Sequence, residues 1–168
     1  MTRKRILIAG AGSAGTMMAN HLKRKVNLHE WQITIVDAAT THYYQPGFLF
    51  LPFGIYDEAE IQKPIIKYIP DEVEFINTGI DKIDAERNVV ILINGAELPY
   101  DILIIASGCN IAPEETEGMK GKLWQKNVFD FYTFEGAKAL HDKLQGWEGG
   151  KLAIHITEMP IKCPVAPL

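Results

Sequence analysis

"RILIAGAGSAG", Arg5 to Gly15, is the stretch on which the reading of this chain turns. Ile6 to Ala9 is an apolar run of the length of a short buried strand, too short for a leader or a membrane span. Gly10, Gly12 and Gly15 follow it at the spacing G-x-G-x-x-G. Ser13 to Lys25 then reads as a helix, with Met17, Met18, His21 and Leu22 at helical spacing. "WQITIVD", Trp31 to Asp37, is a second strand that ends in an acid 22 residues past Gly15. Strand, glycine loop, helix and strand make a βαβ unit, and a fingerprint in that context predicts a dinucleotide site.

Each residue type in the pattern has a physical job. Gly10 permits a tight turn, Gly12 lets backbone approach a pyrophosphate, and Gly15 lets helix pack on strand. The helix start at Ser13 and Ala14 offers amide donors and partial positive charge to phosphates. Asp37 is placed to accept hydrogen bonds from ribose hydroxyls. The fingerprint alone does not choose between dinucleotides.

The totals set outer bounds. The chain has 168 residues, 47% hydrophobic and 23% charged, the balance of a soluble globular domain. A formal net charge of −4 argues against a nucleic-acid partner. The basic groups at Arg3 to Arg5 and Lys23 to Lys25 read as solvated strand and helix ends. The apolar-rich stretch Gly47 to Tyr56 contains Pro52 and is too short to span a bilayer. Two cysteines, Cys109 and Cys163, and no signal peptide point to a reducing, cytoplasmic compartment. No metal site is expected.

Beyond Asp37 the chain runs through a long apolar and aromatic segment, "AATTHYYQPGFLFLPFGIYDEAE", of a kind that is usually functional. Phe48, Leu49, Phe50 and Phe53 read there as core, and His42 as a loop histidine. "IQKPIIKYIP" fits either a short helix broken at Pro64 or extended chain. Val73 to Leu98 reads as a small antiparallel meander, with "VEFINTGIDKID" (Val73 to Asp84) and "NVVILING" (Asn88 to Gly95) as strands and a hairpin signal at Asn94-Gly95. Ile102 to Ala106 is a fully apolar strand. Thr133 to Trp147 is a helix capped by Thr133, with Ala139, Leu140 and Leu144 facing inward. "KLAIHIT", Lys151 to Thr157, reads as a new buried strand. The fold expected is α/β: a Rossmann-like parallel sheet, a three-stranded antiparallel insert, and the first strand of a second nucleotide-type fold. The divisions expected are a cofactor-binding domain over 1–110, a connecting loop and helix over 111–148, and the start of a second domain over 149–168.

"YDILIIASG", Tyr100 to Gly108, resembles the "YD-x-LI-x-ATG" segment in the FAD domain of the disulfide-reductase flavoproteins, with Ser107 in place of Thr. The resemblance implies FAD as the cofactor and adds Ala106, Ser107 and Gly108 to the binding residues. Three further segments are similar to one branch, the sulfide:quinone oxidoreductases: "HYYQPGFLFLPFG" (His42 to Gly54), "ASGCNIAPEETEGM" (Ala106 to Met119) and "TEMPIKCPVAPL" (Thr157 to Leu168). That branch implies a cysteine pair near the flavin that takes up sulfide, and electrons that pass through FAD to a quinone. Carried over by segment, Cys163 is one redox cysteine, Cys109 matches a cysteine found in part of the branch, and Tyr44 and Pro46 run toward the flavin ring.

Cys163 has support of its own. It precedes Pro164, a residue favoured in the first turn of a helix, so it suits an N-cap, where a thiol is pushed toward thiolate. The alternative, a buried structural cysteine, stands beside it, and for Cys109 the alternative is packing near the flavin. The resemblance also implies a longer chain with a C-terminal half, a partner cysteine and helices that reach membrane quinone. The sequence is therefore expected to be an N-terminal portion, inactive alone, of a protein peripheral to the inner face of the cell membrane. An exposed face where the missing half would pack favours a homo-oligomer. Competing readings are a type II NADH dehydrogenase-like flavoprotein or another pyridine-nucleotide-disulfide oxidoreductase, a plain NAD-dependent enzyme, and a dinucleotide-binding module without chemistry.

Overall fold

The computed structural model describes residues 2–157. These residues divide into two compact units, one of 2–44 with Asp57–Asn110 and one of Gln45–Tyr56 with 111–157. In the first unit, β1 (Lys4–Ala9) has β2 (Trp31–Asp37) parallel on one side and β9 (Ile102–Ile105) parallel on the other. β5 (Glu74–Asn77) lies outside β2, so the four-stranded order is β5-β2-β1-β9. Ile6 to Ala9 of β1 is a continuous apolar run because both faces of the sheet are covered there. On one face Ile6, Ile8, Ile33 and Ile35 pack with Ala11 and Ala19 at helix α1 (Ser13–Lys25) and with Ile65, Ile69 and Val73. On the other face Leu7 and Val36 pack with Val90, Leu92 and Tyr100. The alternation of Ile6, Leu7 and Ile8 between two clusters is the period-2 geometry of a strand.

The second cover is an antiparallel sheet of β6 (Ile80–Asp84), β7 (Val89–Leu92) and β8 (Glu97–Pro99). The expected meander is thus present, but its first run is split. Val73–Asp84 is two strands rather than one, because β5 pairs parallel with β2 and only β6 enters the meander. The break falls at Thr78–Gly79, where the Gly79 carbonyl accepts from Ile93 N–H at 3.0 Å. A side chain at Gly79 would crowd Ile93, at 3.1 Å.

The aromatic segment and its continuation to Pro70 are ordered into short pieces. β3 (Thr41–Tyr43) pairs antiparallel with β4 (Gln62–Pro64), and α2 (Glu58–Ile61) starts on a capping box made by Asp57 and Glu60. The ambiguous "IQKPIIKYIP" therefore becomes a strand up to Pro64 and a 3-10 turn after it, Ile65–Tyr68. In α1 the buried residues are Gly15, Thr16 and Ala19, and Met17 is 71% exposed. Met18 and Leu22 do pack against the core, as their spacing predicts.

The second unit has 3-10 turns at Gln45–Leu49 and Leu51–Phe53 and one longer helix, α3 (Phe134–Gln145). Thr133 caps α3 by accepting from Gly136 N–H at 3.0 Å. Gly136 and Ala137 are its fully buried residues, while Ala139, Leu140 and Leu144 are half-buried. Phe48 is buried and faces Phe134 with ring centroids 6.3 Å apart, but Leu49, Phe50 and Phe53 are exposed. The expected strand at Lys151–Thr157 does not form, and all seven residues are exposed. A strand needs a partner ladder for its N–H and C=O groups, and no described strand pairs with this segment.

Candidate dinucleotide site

The carboxyl ends of β1, β2, β5 and β9 share one edge of the parallel sheet. After β1 the chain goes to β2 and β5 on one side and returns as β9 on the other. That reversal makes the end of β1 the switch point where open α/β sheets hold ligands.

The three glycines have separate tasks there. Gly10 has φ 108°, and a Cβ on it would overlap the Ala106 carbonyl at the end of β9. Gly10 N–H donates to Val36 O at 2.8 Å and Ala106 N–H to Ala9 O at 2.7 Å, which ties the loop to both neighbouring strands. A Cβ on Gly15 would run into the Gly10 carbonyl, so α1 crosses the loop as closely as backbone allows. Gly12 is different, since a Cβ there would meet nothing within 4 Å. Its glycine is not required by the protein's own packing and leaves a cradle open to a ligand.

That cradle is electrostatically suited to phosphate. Gly12 is the N-cap of α1 without any side-chain cap, and the first turn carries no acid. The opening amides, at Ser13 and Ala14, and the positive end of the helix are therefore uncompensated. Inside the turn, Thr16 is buried and its hydroxyl donates to Gly12 O at 2.9 Å and Ser13 O at 3.2 Å, which stiffens the loop from behind.

Asp37 closes the other side. Its Oδ2 accepts from Ala11 N–H at 2.6 Å and its Oδ1 from Ala39 N–H at 2.8 Å. Each oxygen keeps further acceptor capacity for a ribose hydroxyl. Asn77, which the sequence did not single out, bonds by its side-chain amide to the carbonyls of Asp37, Ala38 and Ala39. These residues fit a dinucleotide: an open cradle, unpaired helix amides and a held carboxylate.

The structure thus brings Gly10, Gly12, Ser13, Ala14, Gly15, Asp37 and Ala106 to one strand edge. Ser107 and Gly108 continue from Ala106 and are exposed, with Gly108 at φ 70° and open space where its Cβ would be. Cys109 is next, exposed and free. Tyr44, just beyond β3, is exposed. Pro46 is exposed in the first 3-10 turn of the second unit. Cys163 lies outside the described residues. Among the described residues no His, Cys, Asp and Glu cluster could hold a metal ion, and no helix is long and apolar enough to cross a membrane.

Comparison with known proteins agrees with this geometry. A family model, pyridine nucleotide-disulphide oxidoreductase, matches residues 4–155. The mitochondrial sulfide:quinone oxidoreductase of Dictyostelium discoideum is 26% identical over 164 residues, covering 97% of this chain and 36% of that protein. The type II NADH:quinone oxidoreductase of Staphylococcus haemolyticus is 31% identical over 124 residues, covering 73% of this chain and 31% of that protein. Among solved structures, the sulfide:quinone oxidoreductase of Aquifex aeolicus superposes with a TM-score of 0.69 at 27% identity, covering 84% of this chain and 32% of that one. The chain spans about a third of the length of the curated relatives it matches.

Proposed function

The chain belongs to the pyridine nucleotide-disulphide oxidoreductase family, and on that premise we propose that it is the N-terminal part of an FAD-dependent sulfide:quinone oxidoreductase. The observation that carries the choice is the extent of likeness. The match to the Dictyostelium sulfide:quinone oxidoreductase runs over 97% of the chain, against 73% for the Staphylococcus haemolyticus NADH enzyme and 89% for that of Staphylococcus aureus.

In this reading residues 1–110 hold the ADP half of FAD, 111–148 connect, and 149–168 open a second domain. Gly12 admits the pyrophosphate, Ser13 and Ala14 direct amides at it, and Asp37 takes the ribose. Gly10 and Gly15 set the loop, Ala106, Ser107 and Gly108 line the approach, and Tyr44 and Pro46 border the flavin ring. Cys163 is one redox cysteine and Cys109 a second; sulfide would attack a disulfide that Cys163 makes with a partner cysteine, breaking the S–S bond to leave a persulfide on one sulfur and a thiolate on the other. FAD, when bound, would supply the acceptor for the two electrons released when thiolate and persulfide rejoin, and pass them to a quinone that leaves as quinol with two protons. The stretch by itself is expected to bind at most the ADP half and not to turn over. The full protein works peripherally at the cytoplasmic face of the membrane, as a homo-oligomer.

The test uses the full-length protein. It should purify with a flavin spectrum that bleaches anaerobically on addition of sulfide, and Cys163→Ser should keep the flavin but lose the bleaching. Bleaching of Cys163→Ser at the wild-type rate removes Cys163 from the mechanism. Bleaching of the wild type by NADH and not by sulfide replaces this reading with the second one, a type II NADH:quinone oxidoreductase, which the 31% identity to the Staphylococcus haemolyticus protein favours.

A further inference from the structure

Asn77 is the last residue of β5 and stands directly opposite Asp37, the last residue of β2, in the parallel register. From there its Nδ2 reaches three successive carbonyls: Asp37 O at 2.9 Å, Ala39 O at 3.0 Å and Ala38 O at 3.2 Å. Only the amide nitrogen can serve this position, since all three partners are acceptors. An NH₂ group has two hydrogens, so one is shared, and three consecutive peptide groups are turned toward a single side chain.

That turn decides where the Asp37 carboxylate goes. With its own carbonyl held by Asn77, Asp37 sends its side chain back to Ala11 N–H at 2.6 Å and forward to Ala39 N–H at 2.8 Å. One end of the arrangement is therefore fixed to β5 and the other to the glycine loop. Neither contact requires a ligand. Water could satisfy the same three carbonyls, but it would not fix their direction.

We propose that Asn77 is a positioning residue for the dinucleotide's ribose: its hold on the 37–39 turn sets the carboxylate of Asp37 before ligand arrives. The proposal rests on the reading of this edge as a dinucleotide site. It predicts that Asn77 acts through Asp37, so their effects are not independent.

The experiment measures FAD dissociation constants in the full-length protein for wild type, Asn77→Ala, Asp37→Ala and the double variant. Asn77→Ala is expected to weaken FAD by about ten-fold, the effect of one lost net hydrogen bond. In the Asp37→Ala background the same change should cost less than about two-fold. Asn77→Asp should bind no better than Asn77→Ala, because a carboxylate offers no donor to three carbonyls. Wild-type affinity in Asn77→Ala, or an equal loss with and without Asp37, overturns the proposal. Amide exchange keeps the outcome separate from that of the parent reading: in ligand-free protein Asn77→Ala should speed exchange at Ala11 and Ala39, whether or not FAD binds. Unchanged exchange at both amides overturns the positioning role even if the dinucleotide reading stands. Asn77→Ser replaces the alanine variant in both measurements should that fail to fold.

Discussion

Gly12 and Gly15 belong to one fingerprint and are glycine for opposite reasons. The Cβ missing from Gly15 would collide with the Gly10 carbonyl, whereas the one missing from Gly12 would enter open space. Gly15→Ala should therefore destabilise the ligand-free protein by about 1–3 kcal/mol or more, as overpacking does. Gly12→Ala should cost the ligand-free protein under about 1 kcal/mol, the loss of a poor cap, yet weaken FAD at least about ten-fold. Urea midpoints without ligand and FAD titrations of both variants check the pair. Equal stability losses in the two would sink the division of labour. Asp101 gives a pH-dependent case. Arg5 N–H donates to its Oδ2 at 2.7 Å, and the Arg5 guanidinium lies 3.4 Å from the same oxygen. The backbone bond first, and then the guanidinium, hold the Asp101 carboxyl below its ordinary value of 3.8. A depressed folded pKa means the native state binds fewer protons than the unfolded one in that window. The stabilisation is present above the ordinary value and fades as pH falls through it toward the folded pKa. Asp101→Asn should flatten that acid limb of a urea-midpoint profile slightly, since the pair is exposed. A limb of unchanged slope would remove Asp101 from it.

At the scale of elements, α3 depends on its start. Thr133 caps Gly136 N–H, and Asp130 accepts from Tyr132 N–H, Thr133 N–H, the Thr133 hydroxyl and Gln125 Nε2. Thr133→Ala should cost about 1 kcal/mol. Asp130→Ala should cost more, up to about 3 kcal/mol, because it leaves several donors without a partner. Amide exchange across 134–137 under native conditions checks both, and equal effects would show that Asp130 adds nothing to the cap. The elements also show which parts of the fold are readable from sequence. β1, α1 and β2 were legible because their signals are local: an apolar run, three glycines and a helical period. The cap at Thr133 was legible for the same reason. Val73–Asp84 was not, because an alternating run does not state which partner each half will choose, and only Gly79 marks the break. Lys151–Thr157 was misread because apolar content reports what a strand would bury, not whether a ladder is available. In the site, the glycines and Asp37 could be read from spacing. Asn77 could not, because its role comes from register across two strands 40 residues apart.

On the whole molecule, the sheet edge at β9 is the feature with a consequence beyond the site. β9 pairs with β1 on one side, and no described strand pairs with its other side. Ile102 and Ile105 on it are exposed, Ile105 at 65%. An unpaired, apolar edge is a template for another chain, and edges are blunted by charge, lysine above all. The 168-residue stretch by itself is expected to associate with rising concentration, and Ile105→Lys to reduce that association. The substitution should leave the urea midpoint nearly unchanged, within about 0.5 kcal/mol, as at other exposed positions. Simple charge repulsion would not explain the result. The formal net charge is −4, and one added lysine makes it −4 + 1 = −3, closer to the neutrality that promotes association. Ile93→Lys supplies the matched control, because Ile93 is 68% exposed and lies just past β7, in a sheet that does not pair with β9. Sedimentation velocity over a concentration series should show Ile105→Lys shifted toward monomer and Ile93→Lys behaving as wild type. An equal shift in both variants would mean that general surface polarity, and not the open β9 edge, governs the association.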